Sequence, residues 1–435
     1  MRISQAMIVK NEEKNMKRAL SWGRNIVYEQ IVVDTGSTDH TVEIAKNMGA
    51  WVYHFTWVDD FSAAKNFAIE KCCGDWIAFL DADEYFTEDA LKIQEVIEKA
   101  ESKGAFVIAA QLLNLNDAGK IIGSMTQARL FKNHEGIRYS GKIHENLSSS
   151  KYVDIYDATK ELTIFHTGYS ESSHAEKNKD LTYKTILEKE IEEKPDNSDN
   201  YGYLGDIYAG EQNYEKAEEL YLRAVEMMDT KVREESGRGG TTLRNLLSIM
   251  GAYSYRTDEL LKLYGFAEKI FPHDADFPCI VGDHFYRYGN YPEAAEFYSK
   301  AISLYEQFGA YLKSDYVDSH LLEIYVKLAD SCYQSKQYPS AIKTAIQILK
   351  INKFNTEMIR ILLLSVKEVG LTGMSGYGTN EEMVMLKRLY DFQSIRDKAF
   401  IYILAEKLGL KELSEEIKAS CSEAEKITLE GLKRS

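Results

Sequence analysis

The chain has 435 residues, too many for one ordinary hydrophobic core and enough for two or three domains. Hydrophobic residues make up 44% and charged ones 28%, the balance of a globular rather than a disordered chain. With 53 Lys+Arg against 68 Asp+Glu the formal net charge is −15, which disfavours nucleic acid or an anionic membrane surface as partner but allows a locally basic pocket.

The chain opens on an apolar run, residues 3–9, with no signal-peptide plan ahead of it. A charged, helix-compatible stretch follows at 11–20, then an apolar strand at 30–34 and the turn Thr35-Gly-Ser-Thr-Asp39. Thr38 and Asp39 stand where a helix N-cap belongs, ahead of the periodic Val42, Ile44 and Ala45. A third strand is expected at 51–55, a helix at 61–72 and a fourth strand at 76–80. Strands separated by helical stretches imply an α/β sheet with parallel strands, whose ligands gather at the carboxyl ends. Asp34 and Asp81 both stand at such ends.

From about residue 171 the pattern is helical. The stretches Leu204-Gly-Asp-Ile-Tyr-Ala-Gly-Glu-Gln-Asn-Tyr-Glu-Lys-Ala217, Val281-Gly-Asp-His-Phe-Tyr-Arg-Tyr-Gly-Asn-Tyr-Pro-Glu-Ala294 and Leu328-Ala-Asp-Ser-Cys-Tyr-Gln-Ser-Lys-Gln-Tyr-Pro-Ser-Ala341 resemble one another. Each reads as a helix, a polar turn with an aromatic, and a second helix with alanines on its packing face. This is the pattern of the tetratricopeptide repeat, with a period of ~34 residues. A degenerate copy is expected at 258–271, a helical region at 356–435, and a break at the glycine-bearing 370–378. The tyrosines of these segments read as packing residues. No apolar run approaches the ~20 residues of a membrane helix. The cysteines Cys72, Cys73, Cys279, Cys332 and Cys421 follow neither a zinc nor a disulfide spacing. A cytoplasmic protein without a membrane span is expected.

Asp81-Ala82-Asp83 leaves the fourth strand, and two carboxylates so spaced can converge on a hard divalent cation. A Mg²⁺ or Mn²⁺ ion there would bridge two phosphates and offset charge on a leaving diphosphate. Alone the triplet is also a common solvated turn. Asp34, followed by a turn suited to close ligand approach, could accept hydrogen bonds from a base or ribose.

Met7-Ile-Val-Lys-Asn-Glu-Glu13, Val33-Asp-Thr-Gly-Ser-Thr-Asp39, Asp60-Phe-Ser-Ala-Ala-Lys-Asn66 and Leu80-Asp-Ala-Asp-Glu84 resemble, in order, the motifs of family 2 glycosyltransferases. Ala128-Arg-Leu-Phe131, Gly141-Lys-Ile-His-Glu145 and Phe165-His-Thr-Gly-Tyr169 are similar to the subgroup with C-terminal tetratricopeptide repeats, which includes S- and O-glycosyltransferases of bacteriocin peptides. The resemblance implies a Rossmann-like GT-A nucleotide-sugar domain over residues 1–170, a linker helix and repeats over 171–355, and a helical region over 356–435. It implies that Val9, Asn11, Glu12 and Asp34 line the nucleotide pocket, with Asp81 and Ala82 beside the sugar nucleotide. Lys65 stands where many relatives have arginine and would meet the diphosphate as a point charge. Asp83 would bind the metal, with His166 and Asp81 as further ligands.

An inverting transfer needs a group to take the acceptor's proton. Glu145 is the expected base, oriented by His144, with Arg129 and Lys142 as candidate phosphate partners. The expected function is an inverting, metal-dependent transfer of a hexose from a UDP-sugar to a Ser/Thr or Cys side chain of a peptide or protein. The alternatives are a cell-envelope glycan or lipid-linked acceptor, or an inactive repeat scaffold. A homodimer through the repeats is compatible with either reading.

Overall fold

The computed structural model describes residues 1–167, 174–228, 237–309, 314–371 and 379–432. Gly168 and Tyr169 of the last motif, and most of the stretch 370–378, lie outside the described residues. The chain divides into two compact units, Met1–Pro195 and Asp196–Ser435.

The first unit begins with four strands separated by helices: β1 (Ile3–Val9), α1 (Met16–Ser21), β2 (Glu29–Asp34), α2 (Thr41–Asn47), β3 (Trp51–His54), α3 (Phe61–Lys71) and β4 (Trp76–Phe79). There follow β5 (Glu84–Phe86), α4 (Ile93–Ser102), β6 (Val107–Leu115), β7 (Ile121–Lys132), β8 (Arg138–Ser140), β9 (Asn146–Ser148), β10 (Ile155–Asp157), β11 (Thr163–His166) and α5 (His174–Glu193). The main sheet runs β3-β2-β1-β4-β7-β6-β11-β5, with β10 paired to β6, and β8 and β9 form a separate ribbon. Strands β1 to β4 are parallel, in keeping with the helices between them. Beyond β4 the sheet is mixed, because β6 and β7 are joined directly and must pair antiparallel. Ile31, Val32 and Val33 are all buried, so the apolar run of β2 has no solvent face. The chain builds outward from β1, to β2 and β3 on one side and to β4 on the other. In sheets of this kind that reversal is where a crevice at the carboxyl ends of the strands is expected. Val9, Asp34 and Asp81 stand along it.

The start of α3 is fastened to the loop after β8. Asp60 caps the helix by accepting from the Ala63 N–H at 2.8 Å. The Phe61 N–H donates to the Lys142 carbonyl at 2.9 Å and the Ser62 hydroxyl to the Gly141 carbonyl at 2.6 Å. Asn66 exchanges two 2.9 Å bonds with the main chain of Tyr139. The expected linker helix, α5, belongs to the first unit, where Lys189 pairs with Asp59 at 2.9 Å and Tyr183 meets Phe61 edge-on.

In the second unit each of the three similar stretches spans a helical hairpin: Ser198–Gly210 with Tyr214–Glu226, Asp276–Arg287 with Tyr291–Phe308, and Asp315–Gln334 with Tyr338–Ile351. The three turns share one conformation. Gln212, Gly289 and Lys336, each two residues before the aromatic, have φ of 60°, 76° and 61°. The alanines of the second helices, Ala217, Ala224, Ala294, Ala301, Ala341 and Ala345, are fully buried or nearly so. In the first two hairpins a tyrosine of the second helix packs on the glycine of a Gly-Asp pair and donates its hydroxyl to the aspartate. Tyr221 reaches Asp206 at 2.8 Å and Tyr298 reaches Asp283 at 2.6 Å. The expected degenerate copy is the helix Thr257–Ile270, packed beside Gly237–Met250, and helices continue from Thr356–Leu371 to Glu423–Leu432.

A methyl group on Gly205 would lie 2.5 Å from the Tyr221 ring. Gly205→Ala is therefore expected to destabilise the second unit by about 1–3 kcal/mol, read as a lower urea midpoint. An unchanged midpoint would contradict this packing.

Candidate active site

At the carboxyl ends of the first two strands, the loops after β1 and β2 are hydrogen-bonded to one another. The Asn11 N–H donates to Ser37 Oγ at 2.9 Å, and Asn11 Oδ1 accepts from the Thr38 N–H at 2.8 Å. Asn11 holds a left-handed φ of 58° to do so. The Glu12 N–H donates to Thr41 Oγ1 at 2.7 Å, while the Val9 carbonyl accepts the Thr35 N–H at 3.0 Å. The N-cap position of α2 falls on His40, one residue past the expected Thr38 and Asp39; Asp39 still accepts from the Thr41 N–H at 2.9 Å, and Thr38 is bonded to Asn11. Asp34 is buried at the end of β2 and accepts from the N–H groups of Gly36 (3.3 Å) and Ser37 (3.0 Å). His54 Nδ1 lies 3.2 Å from its second oxygen. Burial opposes the charged form, but these bonds outweigh it and hold the Asp34 carboxyl below the ordinary carboxylate range.

At the end of β4 lies a compact array of charges. Lys65 Nζ, on α3, is 2.5 Å from Glu145 Oε1 and 3.1 Å from Asp81 Oδ1. Arg129 grips Glu84 with two bonds, at 2.8 and 2.5 Å, and reaches Asp81 Oδ2 at 3.1 Å. It stands at a β-bulge: Ile108 pairs with Leu130 and Ala109 with Ala128, so Arg129 is the unpaired extra residue. Such a bulge re-aims a side chain toward a site. Burial alone would raise the Asp81 carboxyl; Lys65 first and then Arg129 overcome it and hold Asp81 well below its ordinary value. Burial pushes the Glu84 carboxyl up, against the pull of Arg129. The ring of Tyr139 lies under Lys65, 5.0 Å from Nζ. Its buried hydroxyl has no hydrogen-bond partner among the described residues, and burial raises it to about 12.

Asp83 stands apart from this array. Its Oδ2 is 3.3 Å from His166 Nε2 at the end of β11, and its carbonyl accepts from both the N–H and the hydroxyl of Thr167 at 3.1 Å. The other ring nitrogen, Nδ1, faces Asn114 Oδ1 at 2.9 Å. With Asn114 Oδ1 as acceptor Nδ1 carries a proton, so Nε2 donates to Asp83 when the ring is charged and offers a lone pair when it is neutral. Burial lowers the His166 value, yet the contact with Asp83 outweighs it and the imidazole is shifted upward. Ala82 packs with Met7, Val9 and Met16 and anchors the acidic turn to the core.

The Glycosyl transferase family 2 model matches residues 4–164. These residues form a family 2 glycosyltransferase domain. A TPR repeat-containing protein of Synechococcus elongatus is 38% identical over 34% of this chain and 36% of its own. The SPbeta prophage-derived glycosyltransferase SunS of Bacillus subtilis is 26% identical over 45% of this chain and 46% of its own. The matching stretches thus span under half the length of either relative. Among solved structures, S. aureus TarS 1-349 in complex with UDP-GlcNAc covers 66% of this chain and 92% of that one, at 15% identity and a TM-score of 0.33.

Within the glycosyltransferase domain, the expected residues fall into three places. Val9, Asn11, Glu12 and Asp34 lie in or beside the joined loops after β1 and β2; Lys65, Asp81, Arg129 and Glu145 share the charge array; Asp83 and His166 form a separate pair. The carboxylate of Asp81 is directed at two cations. The guanidinium of Arg129 is likewise spent on Glu84 and Asp81, and Lys142 pairs with Glu193 at 2.6 Å. The ring of His144 lies edge-on to Tyr183, while the group in contact with the Glu145 carboxylate is Lys65. His54, Glu84, Asn114 and Tyr139 were not singled out from sequence. Glu84 had a signal, as the third acid of a short acidic run beside a buried strand. His54 and Asn114 are placed by strand pairing and Tyr139 by the bonds of its main chain to Asn66, which no local pattern carries.

Arg129→Met would leave the buried Glu84 without its cation, at a cost of about 3–5 kcal/mol. The double variant with Glu84→Gln is expected to recover part of that loss in urea unfolding at pH 7. A single variant costing under about 1 kcal/mol would contradict the pairing.

Proposed function

We propose that the chain is an inverting, metal-dependent glycosyltransferase that moves a hexose from a UDP-sugar to a Ser, Thr or Cys side chain of a peptide or protein. The observation that carries the reading is the distribution of acids along one crevice. Asp34 and Asp81 end strands two places apart in the sheet, about 10 Å by ordinary strand spacing, which suits a nucleoside diphosphate lying across β1. Asp34 would receive the base or ribose.

Charge balance supports a metal requirement. Lys65 and Arg129 already face three carboxylates, Asp81, Glu84 and Glu145, so neither is spare for two phosphates. Among the described residues no three His, Cys, Asp or Glu side chains converge on one point. Asp83 and His166 offer two donor atoms, and Mg²⁺ or Mn²⁺ commonly takes one or two protein ligands and completes its shell with phosphate and water. Bound there, the cation would supply neutralisation of the leaving diphosphate. Asp83 and His166 would hold it, and Asn114 would fix the imidazole.

Glu145 would accept the proton of the acceptor hydroxyl or thiol as that oxygen or sulfur bonds to the anomeric carbon. The bond from that carbon to the diphosphate oxygen breaks, and its electron pair leaves with the diphosphate. The second unit, as a helical-repeat array, is the surface we assign to the acceptor. Among the described residues no helix is long and apolar enough to cross a membrane.

UDP release from UDP-glucose and UDP-N-acetylglucosamine, followed with Mn²⁺, with Mg²⁺ and with chelator, tests the reading. Asp83→Ala is expected to lower the rate by roughly 100-fold, as chelation does. Full turnover in chelator would exclude the metal. Glu145→Gln should bind UDP as the unaltered protein does and lose roughly 10²–10⁴-fold in turnover; full turnover would remove Glu145 from the role.

A further inference from the structure

The geometry points to Lys65 as a positioning residue that holds Glu145 for proton abstraction and ties it to Asp81, rather than as a ligand of the donor's diphosphate. The inference rests on the reading of Glu145 as the base and goes beyond it, by naming what aims that base.

The lysine's ammonium has three N–H donors. One faces Glu145 Oε1 at 2.5 Å and another Asp81 Oδ1 at 3.1 Å. On its remaining side stand the ring faces of Phe79 and Tyr139, with centroids at 5.4 and 5.0 Å. Only 4% of the side chain is exposed. To reach a phosphate, Lys65 would have to leave two carboxylates and two aromatic faces, stranding the little-exposed Glu145.

The scaffold around it serves the same pairing. Glu145 follows the very loop that α3 grips through Phe61, Ser62 and Asn66, so the backbone under Lys65 and the backbone leading to Glu145 are fastened by four hydrogen bonds. Fixing both ends leaves the contact with Lys65 to set the carboxylate's direction. A lysine, compact and three-donor, can bridge two acids that approach it from different elements. Arginine's planar fork at this position would favour one two-pronged partner.

The probes are UDP with Mn²⁺, for affinity by calorimetry, and UDP-glucose with water as acceptor, for turnover. Lys65→Met is expected to lower kcat roughly 10–100-fold, the loss that orienting partners carry, with the Kd for UDP within about 3-fold. Lys65→Arg should restore part of that rate, and it decides the matter if Lys65→Met does not fold. The Lys65→Met/Glu145→Gln double variant should turn over within about 3-fold of Glu145→Gln alone, since a residue acting through another adds nothing once that other is removed. Two results would overturn the inference alone. One is a loss of UDP affinity, in Lys65→Met and Lys65→Arg alike, as large as the loss of rate. The other is a double variant whose defect is the product of the single ones. Full turnover in Glu145→Gln would overturn the base reading and this inference with it.

Discussion

Two cations confined with three carboxylates are the constraint on which the first unit depends. Lys65 and Arg129 are each almost enclosed, and neither would be tolerated there without its acids. Asp81 touches both, so it cannot turn away without exposing one of them to an unbalanced field. Glu84 and Glu145 each complete one cation. Two cations against three carboxylates leaves the array with a net negative charge, and the arrival of a diphosphate would deepen it. The floor of the crevice therefore supplies rigidity and direction, while positive charge for the ligand has to come from elsewhere.

The fold serves this array through devices that act at a distance. Strand β4 delivers Asp81, the bulge in β7 turns Arg129 toward it, and α3 brings Lys65 beneath. Asn66, Ser62 and Asp60 look like polar residues scattered on a helix. Each is a fastener: Asp60 starts α3, and Ser62 and Asn66 bind it to residues 139–142. The pair of Asp83 and His166 needs a different route. Strand β11 pairs with β5 and β6, which sets His166 beside the turn after β4 and beside Asn114.

Much of this was legible in the sequence where the signal is local. The parallel strands β1 to β4 announce themselves by short apolar runs between helical stretches, and their acidic ends follow from strand geometry. The repeat hairpins were equally plain, since an aspartate in the first helix, the aromatic turn and the packing alanines recur in the same order in each, though at irregular intervals along the chain. What lay beyond reach was set by partners far along the chain. Nothing near Lys65 says that it will meet Glu145, which is why a phosphate contact was the natural expectation for a lysine in that motif. His144 beside Glu145 invites the idea of an orienting histidine; residue 144 has a left-handed φ, and its ring lies edge-on to Tyr183. The mixed half of the sheet was hidden for a similar reason, because β6 and β7 pair across a short connection that carries no helix to mark it.

The proposed reaction requires a cation at Asp83 and His166 with the nucleotide laid across the strand ends. A crystal of the full chain grown with UDP and Mn²⁺, measured at the manganese absorption edge, tests this most directly. The expected result is one anomalous peak within coordination distance of Asp83 and His166 Nε2 and of the UDP phosphates, with the uridine beside Asp34. UDP bound at the strand ends with no anomalous peak at that pair, or a peak whose protein ligands are other residues, would contradict it.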